Sequence, residues 1–333
     1  MFAYIVKRVL SGFVVIFLVS VAVFALFWYG PRNPAAPLCQ QDLGPHCNSV
    51  ALARYTQNLG YNDSAVSQYG LFVKGIFFGR KIDLGGQPQK CPAPCMGIDY
   101  QTRQTVTSEF FQKFPATFSL AVGGATIYFV VGVTIGVLAA RRRGTLGDRA
   151  LVTGTLVMSS VPYYLVCLLA YIYLTIQFNL FPGSGYHPIT NNPVKWFTGL
   201  LLPWLVLGLY NSTAYTRFSR GAMVETLNED YIRTAKAKGL PTRTVVFKHA
   251  LRAAIVPVVT IFGLDFASLL AGTIFTEYIF QIDGIGNWGL YATFKRDFPV
   301  VLTTVLLGAF VVVMANLIVD IIYSVLDPRV RLV

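Results

Sequence analysis

The stretch DYIRTAKAKGL at residues 230–240 lies in a polar connection between two apolar runs, and HALR follows it at residues 249–252. The residues before its glycine are compatible with a helix, and Asp230 places a carboxylate where it favours a helix N-terminus. Gly239 and Pro241 predict the end of that helix. The stretch therefore predicts a short basic helix inside a connection that is too long to be a simple turn.

Two side-chain patterns surround the start of this helix. Thr226 and Glu229 have the spacing of a weak capping box. Glu229 also precedes Arg233 by four residues, a spacing that predicts an ion pair on the helix surface. On these signals alone, the alternative is a solvated surface turn that only connects two apolar runs.

Outward from this stretch, long apolar runs dominate the chain. Of its 333 residues, 54% are hydrophobic and 13% are charged, whereas about 25% are charged in a soluble globular domain. A run of about 18 apolar residues is long enough to cross a hydrocarbon core about 30 Å thick. The sequence predicts an all-α polytopic membrane protein with six transmembrane helices, at residues 9–29, 116–140, 151–178, 197–216, 254–276 and 299–323. The third run is long enough to tilt or to end in a buried hairpin.

The placement of the basic residues predicts how these spans are oriented. Two basic residues precede the first span, four separate the second from the third, eight separate the fourth from the fifth, and two follow the last. The short connections on the other side contain only Lys195, Lys295 and Arg296. By the positive-inside rule, both termini are expected in the cytoplasm. Residues 9–28 are too long for a signal-peptide core and no cleavage motif follows them, so an uncleaved first helix is expected.

The longest connection, residues 30–115, is assigned to the outer side, because segments longer than about 60 residues translocate largely regardless of charge. Apolar residues recur at helical spacing in residues 50–59 and 64–78, which predicts two short helices near the membrane surface. Residues 79–97 are rich in Gly, Pro and Lys and predict a loop that is ordered only if its cysteines are paired.

This outer connection contains Cys39, Cys47, Cys91 and Cys95, four of the five cysteines of the chain. In an oxidising exterior they predict two disulfides, with three connectivities open. A four-thiolate zinc site is the rival, but structural zinc sites more often have C-x2-C spacing. The disulfide-bearing loop is expected either to stiffen this segment or to form a docking surface for another protein.

The segment at residues 230–240, together with HALR, resembles the cytoplasmic loop of ABC-importer permeases, in particular the B-type permease of oligopeptide and dipeptide importers. That loop reads E-A-A, three residues, Gly, nine residues, I-x-L-P. Here RTA at residues 233–235 replaces E-A-A and HALR replaces I-x-L-P, while Ala235, Gly239 and Leu251 keep the spacing. Other segments share the likeness: YIVKR (4–8), PRNP (31–34), LFPGSGY (180–186), TEYIF (276–280), DGIG (283–286), RDFPV (296–300) and LDPRVR (326–331). It covers nearly the whole chain except about residues 35–50 and 85–105.

The resemblance implies a type I ABC importer permease fold with a large extracytoplasmic loop between helices 1 and 2. It divides the chain into residues 1–29 with the first span, the outer loop at 30–115, and a permease core at 116–333 that includes a cytoplasmic coupling loop at 217–253. It also implies that a coupling helix sits in a groove of a cytoplasmic ATPase. The residues that this role would occupy are Asp230, Tyr231, Arg233, Thr234, Ala235, Lys236, Ala237, Lys238, Gly239 and Leu240.

The chain has no sequence motif for its own catalysis. It lacks the G-x-x-x-x-G-K-[ST] phosphate loop, the H-E-x-x-H pair and the G-x-S-x-G elbow. We therefore expect a non-catalytic subunit that binds no cofactor or metal, with ATP and Mg²⁺ on partner subunits. The implied partners are a second homologous permease, two ATP-binding subunits or one fused ATPase, an extracytoplasmic peptide-binding protein, the peptide and the lipid bilayer, with no nucleic acid. The implied location is a bacterial inner membrane.

Asp265 is the one acidic residue near the middle of a predicted span, where a charge is costly unless it is paired or faces water. With Ser268 and Thr273 it is a candidate for the translocation pathway; the alternative is a hydrogen bond that serves helix packing. A proton- or sodium-driven secondary transporter, in which Asp265 is the coupling carboxylate, is the competing function. A non-transporting membrane scaffold is a third class. Nickel or another small solute is the alternative cargo within the importer class.

Overall fold

The computed structural model describes residues 2–30, 33, 35–181 and 183–326. The PRNP, LFPGSGY and LDPRVR motifs lie partly outside the described residues, as do the C-terminal Arg329 and Arg331 that entered the charge count.

Helices make up most of the described chain. In order they are α1 (Phe2–Trp28), α2 (Ala36–Leu43), α3 (Ser49–Asn58), α4 (Ala65–Phe78), α5 (Val106–Arg141), α6 (Leu146–Ser160), α7 (Tyr163–Ala170), α8 (Pro193–Leu227), α9 (Asp230–Ala237), α10 (Thr242–Thr244), α11 (Leu251–Leu270), α12 (Ile274–Ile279), α13 (Ile285–Lys295) and α14 (Phe298–Leu326). A 3₁₀ turn covers Gly44–His46, and π-helical segments at Tyr171–Gln177 and Val245–Ala250 continue α7 and join α10 to α11.

Five helical stretches of the described residues are long and apolar enough to cross a membrane: Val6–Leu26, Val106–Arg141, Pro193–Leu227, Thr242–Leu270 and Phe298–Ile318. The predicted third span is two helical pieces, Leu146–Ser160 and Tyr163–Gln177, bent by 89°. Val161 has extended backbone between the pieces, at φ −81° and ψ 129°, because the residue before a proline is disfavoured in the α region. The predicted six spans are therefore reached only if this bent pair counts as one.

Two helices extend beyond the predicted spans. The structure begins α5 at Val106 and carries it through Pro115, because an internal proline removes one backbone hydrogen bond without ending a helix that packing holds on both sides. Helix α8 continues to Leu227, so the first part of the predicted coupling loop at 217–253 is helical. The predicted capping box is absent, since Thr226 Oγ1 donates to the Ala222 carbonyl within α8, at 2.9 Å.

The contacts divide the chain into two compact units, one formed by Met1–Pro115 and Gly284–Met314 and the other by Ala116–Asp283 and Ala315–Val333. The first unit contains the two short helices that were predicted, α3 and α4. Each begins with a side-chain cap: Asn48 accepts from the Ala51 amide at 2.8 Å and Ser64 accepts from the Ser67 amide at 3.3 Å.

The first unit also contains a feature that departs from the all-α prediction. Strands β1 (Arg80–Asp83) and β2 (Pro88–Cys91) pair antiparallel, with Arg80 opposite Cys91. The turn between them is held by Asp83, whose side chain accepts from the Gly86 amide at 2.6 Å. Four-residue strands are too short to be recognised from an alternating apolar pattern, so the sequence predicted only a loop here.

Two disulfides, Cys39–Cys47 and Cys91–Cys95, lie in the first unit. Of the three open connectivities, the structure has the one that joins sequence neighbours. Cys39, Cys91 and Cys95 are buried in a hydrophobic cluster with Leu38, Tyr55, Leu84, Ile98 and Tyr100. The cysteines therefore close two short loops beside a small core.

In the second unit, glycines allow α5 and α8 to approach closely. A Cβ atom at Gly132 would lie 2.4 Å from Tyr215 Cβ, and one at Gly136 would lie 2.7 Å from the Thr216 carbonyl oxygen. Small residues at these positions permit backbone contact between membrane helices. Trp204 in α8 also donates from its ring nitrogen to the Ser119 carbonyl, at 3.0 Å. Helix α8 thus forms the centre of this unit, with α6 and α11 packed against it.

Candidate functional site

Helix α9, the predicted coupling helix, has one face buried and the other open. Ile232 is fully buried and Ala235 nearly so, in a cluster that includes Met223, Val245 and Val246. The remaining positions are exposed: Asp230, Tyr231, Arg233, Thr234, Lys236, Ala237, Lys238, Gly239 and Leu240. Sequence reasoning missed Ile232, which fixes the helix to its own unit, although an isoleucine in an otherwise polar helix was a usable signal.

The start of α9 differs from the predicted pattern. Arg233 pairs with Asp230, with 3.5 Å between Nη1 and Oδ1, instead of with Glu229. The Asp230 side chain is 96% exposed and that of Arg233 is 72% exposed. An ion pair so open to solvent contributes little stability, which leaves both charges available to a partner.

The end of α9 is a Schellman motif centred on Gly239. The Gly239 amide donates to the Lys236 carbonyl at 3.0 Å, and the Leu240 amide donates to the Ala235 carbonyl at 3.4 Å. Gly239 has φ +75°, and a Cβ atom placed there would meet nothing within 4 Å. The glycine is therefore required by backbone conformation and not by space.

An ion pair between α6 and α8 in the same unit was not predicted from the sequence. Arg220 in α8 forms two bonds with the buried Asp148 of α6, Nε to Oδ1 at 2.6 Å and Nη2 to Oδ2 at 2.7 Å. The Asp148 carboxylate also accepts from the Gly144 amide at 3.0 Å, and its own amide donates to Thr145 Oγ1 at 3.3 Å. Arg220 had been counted only as a topology signal. The T-x-x-D spacing of residues 145–148 was the capping signal that marked this helix start.

The three candidate pathway residues do not share one environment. Asp265 and Ser268 are exposed on α11, one turn apart. Asp265 Oδ2 accepts a hydrogen bond from the Tyr215 hydroxyl at 2.7 Å, and Ser268 Oγ donates to the Leu264 carbonyl at 3.2 Å. Thr273 is buried beyond the end of α11 and donates to Glu277 Oε1 at 3.2 Å. The open face of α11 thus carries Asp265 and Ser268 but not Thr273.

Glu277 is a further buried acid that sequence reasoning passed over. It is fully buried in α12 and accepts from the Thr117 hydroxyl at 2.9 Å, besides Thr273. The next residue back, Thr276, lies 2.5 Å from the Tyr163 hydroxyl. These bonds attach the short helix α12 to α5 and α7. Within the described part of the chain, no group of three or more His, Cys, Asp or Glu residues is arranged to hold a metal ion.

Comparison with known proteins settles the family. Residues 132–332 match the family described as binding-protein-dependent transport system inner membrane component, and residues 1–121 match the description of the N-terminal part of such components. The chain belongs to this family of membrane transport components. Members are non-catalytic permease subunits of ABC transporters, and this chain is such a subunit.

Named relatives extend over nearly the full chain. A probable peptide ABC transporter permease of Sinorhizobium fredii is 33% identical over 98% of this chain and 99% of its own length. The dipeptide transport system permease DppB of Escherichia coli is 33% identical over 94% of both chains. A solved chain of the MetNI methionine ABC transporter, in an inward-facing conformation, is similar with a TM-score of 0.54 and 16% identity, over 66% of this chain and 97% of its own. The predicted permease fold is confirmed.

Proposed function

We propose that this chain is the permease subunit of an ATP-driven ABC importer that takes up short peptides delivered by an extracytoplasmic binding protein. The observation that carries the proposal is near-full-length similarity to permeases named for peptide and dipeptide transport. Methionine, although named for the solved transporter, is supported only by 16% identity, which speaks for fold and not for cargo.

The exposed face of α9 is the proposed contact with the ATPase. Tyr231 is 46% exposed, and aromatic residues on an open surface are frequent anchors of protein interfaces. Lys236 and Lys238 add positive charge beside it. Ile232 is buried in a hydrophobic cluster with residues of α5, α8 and α11. A movement of the ATPase against the exposed face of α9 would therefore be transmitted to these helices.

The charge count supports a topology in which α9 and both termini are cytoplasmic and the disulfide-bearing part of the first unit is extracytoplasmic, in a bacterial inner membrane. Disulfides persist in such an oxidising compartment. ATP and Mg²⁺ would then bind to partner subunits on the cytoplasmic side, and a second permease would complete the transport path.

The open face of α11 is the proposed wall of that path. A carboxylate in a span is costly against lipid and instead faces water, a ligand or a protein partner. Asp265, which accepts a hydrogen bond from Tyr215, and Ser268 are both exposed on this face, which supports their assignment to the path. Thr273 acts with Glu277 in holding α12. Transport follows by alternating access, with closure of the ATPases moving α9 and turning the path outward, and hydrolysis resetting it.

Affinity purification in mild detergent, with identification of every stoichiometric partner, tests the proposal. Recovery of a second permease and of P-loop ATPases is expected. The Tyr231→Ser variant should co-purify with at least tenfold less ATPase than the wild type, because this variant removes an exposed aromatic anchor. Leu146→Ser is the matched control, since Leu146 is 83% exposed at the start of α6 and outside α9. Recovery of the chain alone, or equal loss in both variants, would contradict the proposal.

A further inference from the structure

We infer that the cavity around Arg80 in the first unit binds the phosphate of a phospholipid headgroup at the outer boundary of the membrane. The cavity measures about 70 Å³ and is lined by aromatic and apolar side chains with one guanidinium. Its walls are Phe24, Trp28, Leu59, Tyr61, Gln68, Phe72, Arg80, Ile82, Met96, Ile98, Tyr100, Phe298, Pro299 and Leu302. One water molecule needs roughly 10–15 Å³ of such space. The cavity is therefore large enough for one phosphate group and too small for a peptide.

The Arg80 side chain is partly buried, and among the described residues no hydrogen-bond acceptor is found for it. Its Nε atom is buried without a hydrogen bond, and among the described residues no carboxylate forms an ion pair with it. Its side chain packs over the Phe72 ring, with Cζ 6.0 Å from the ring centre. Even partial burial of a charge costs free energy unless an opposite charge compensates it. The guanidinium fork matches the geometry of phosphate oxygens.

The polar neighbours of Arg80 do not supply that charge. Burial raises the pKa of Tyr61 to about 12 and raises that of Tyr100 well above its ordinary value, so both hydroxyls are neutral at neutral pH. The nearby Asp297 accepts from the Tyr100 amide at 2.6 Å and the Val300 amide at 3.3 Å. The Asp297 side chain is therefore bound to backbone amides, and burial raises its pKa to about 8, so at neutral pH it supplies little negative charge.

The cavity lies where two spans end. Phe24 and Trp28 stand at one end of α1, Phe298 begins α14, and the rings of Phe24 and Phe298 are 6.1 Å apart. The described spans are Val6–Leu26 and Phe298–Ile318. Trp and Tyr side chains concentrate at membrane–water interfaces, and Trp28, Tyr61 and Tyr100 in the cavity wall support a position of Arg80 at headgroup level.

Helix α4 lies beside the candidate span of α1. The Tyr69 hydroxyl lies 2.6 Å from Ser20 Oγ of α1. Ser20 is about 9 Å below the end of the span at Leu26, at about 1.5 Å for each helical residue. On the outside of α4, Val66, Phe77 and Phe78 are 70–82% exposed. A helix that runs beside a span and exposes such residues contacts lipid, and Phe78 lies two residues before Arg80.

Together these features favour a phospholipid over a free anion as the source of the phosphate. A free anion would need neither the exposed apolar face of α4 nor the aromatic wall, whereas a phospholipid uses both, with its chains along α4 and its phosphate at Arg80. The inference uses the membrane placement of α1 and α14 and is independent of the cargo.

Native mass spectrometry of the intact transporter, purified in mild detergent, tests this inference. Arg80→Gln should retain one phospholipid fewer for each copy of this chain than the wild type. Lys81→Gln is the matched control, because the neighbouring Lys81 is exposed on β1 and its replacement removes the same charge outside the cavity. Retention of all lipid by Arg80→Gln, or equal loss in Lys81→Gln, would overturn the inference.

A second measurement uses the wild type and does not depend on the folding of a variant. A phosphatidylglycerol with a photoreactive headgroup should label the segment that contains Arg80, and labelling only elsewhere would overturn the inference. After lipid removal, added phosphatidylglycerol should raise the thermal midpoint and inorganic phosphate at equal concentration should not. An equal rise with inorganic phosphate would assign the cavity to a free anion instead.

Discussion

The left-handed glycine that ends α9 gives the sharpest prediction of how movement is coupled. Gly239→Ala puts a Cβ atom on a residue at φ +75° with nothing within 4 Å, so no steric clash contributes to the effect. The backbone cost alone is about 1–2 kcal/mol, which shifts the population of the native cap by roughly 5–30-fold. The bonds at risk are those from the Gly239 and Leu240 amides to the Lys236 and Ala235 carbonyls.

The assay is peptide uptake for each ATP hydrolysed by the reconstituted transporter. We expect Gly239→Ala to lower this ratio severalfold, because a frayed α9 transmits less of the ATPase movement, while basal ATP hydrolysis persists. Gly144→Ala is the control: Gly144 has φ +82° and equally open surroundings but lies between α5 and α6, outside α9. An unchanged ratio in Gly239→Ala, or the same loss in Gly144→Ala, would refute the reasoning.

Three further predictions concern stability. Gly136→Ala should cost about 1–3 kcal/mol by overpacking, since its Cβ atom would lie 2.7 Å from a backbone oxygen, whereas Gly154→Ala, in open space on α6, should lower no thermal midpoint. Replacement of both Cys39 and Cys47 by Ser should cost about 2–3 kcal/mol by releasing a short loop, measured as faster limited proteolysis of the first unit; an unchanged rate would contradict this. Burial and the neighbouring Asp99 carboxylate raise the pKa of Asp297 from 3.8 to about 8. The folded state therefore binds this proton more tightly than the unfolded state, so stability should fall between about pH 4 and pH 8, by at most about 1.4 kcal/mol for each pH unit, and Asp297→Asn should flatten that slope.

Features that follow from local patterns were predictable from the sequence. The six apolar runs correspond to five helices that are long and apolar enough to cross a membrane and to one bent pair, because length and composition identify candidate spans. The two short helices of the first unit were predicted from the spacing of their apolar residues. Gly239 and Pro241, which disfavour helix, predicted the end of α9. Helix α9 itself was predicted within one residue at its C-terminal end.

Features that depend on tertiary contacts were not predictable in the same way. The size of the bend at Val161 could not be predicted, because Pro162 in a sequence is compatible with a small kink as well as with the 89° bend that the structure has. The start of α5 at Val106 was missed, although Val106, Phe110 and Phe114 have helical spacing, because polar residues between them interrupt the continuous apolar run that marked the span. The partners of Asp148 and Glu277 lie 72 and 160 residues away in the chain, and no single-sequence pattern relates positions so far apart. For Asp265 the sequence left two roles open, and the structure supplies the Tyr215 bond on a helix face that remains exposed.

The central claim is that this permease imports peptides at the expense of ATP hydrolysed by its partners. Uptake of a labelled dipeptide into liposomes that contain the complete transporter, with the binding protein outside and ATP inside, measures it most directly. Accumulation above the external concentration is predicted with ATP, and none with a non-hydrolysable analogue under an imposed proton gradient. Accumulation driven by that gradient without ATP hydrolysis would contradict the claim and make Asp265 the coupling carboxylate of a secondary transporter.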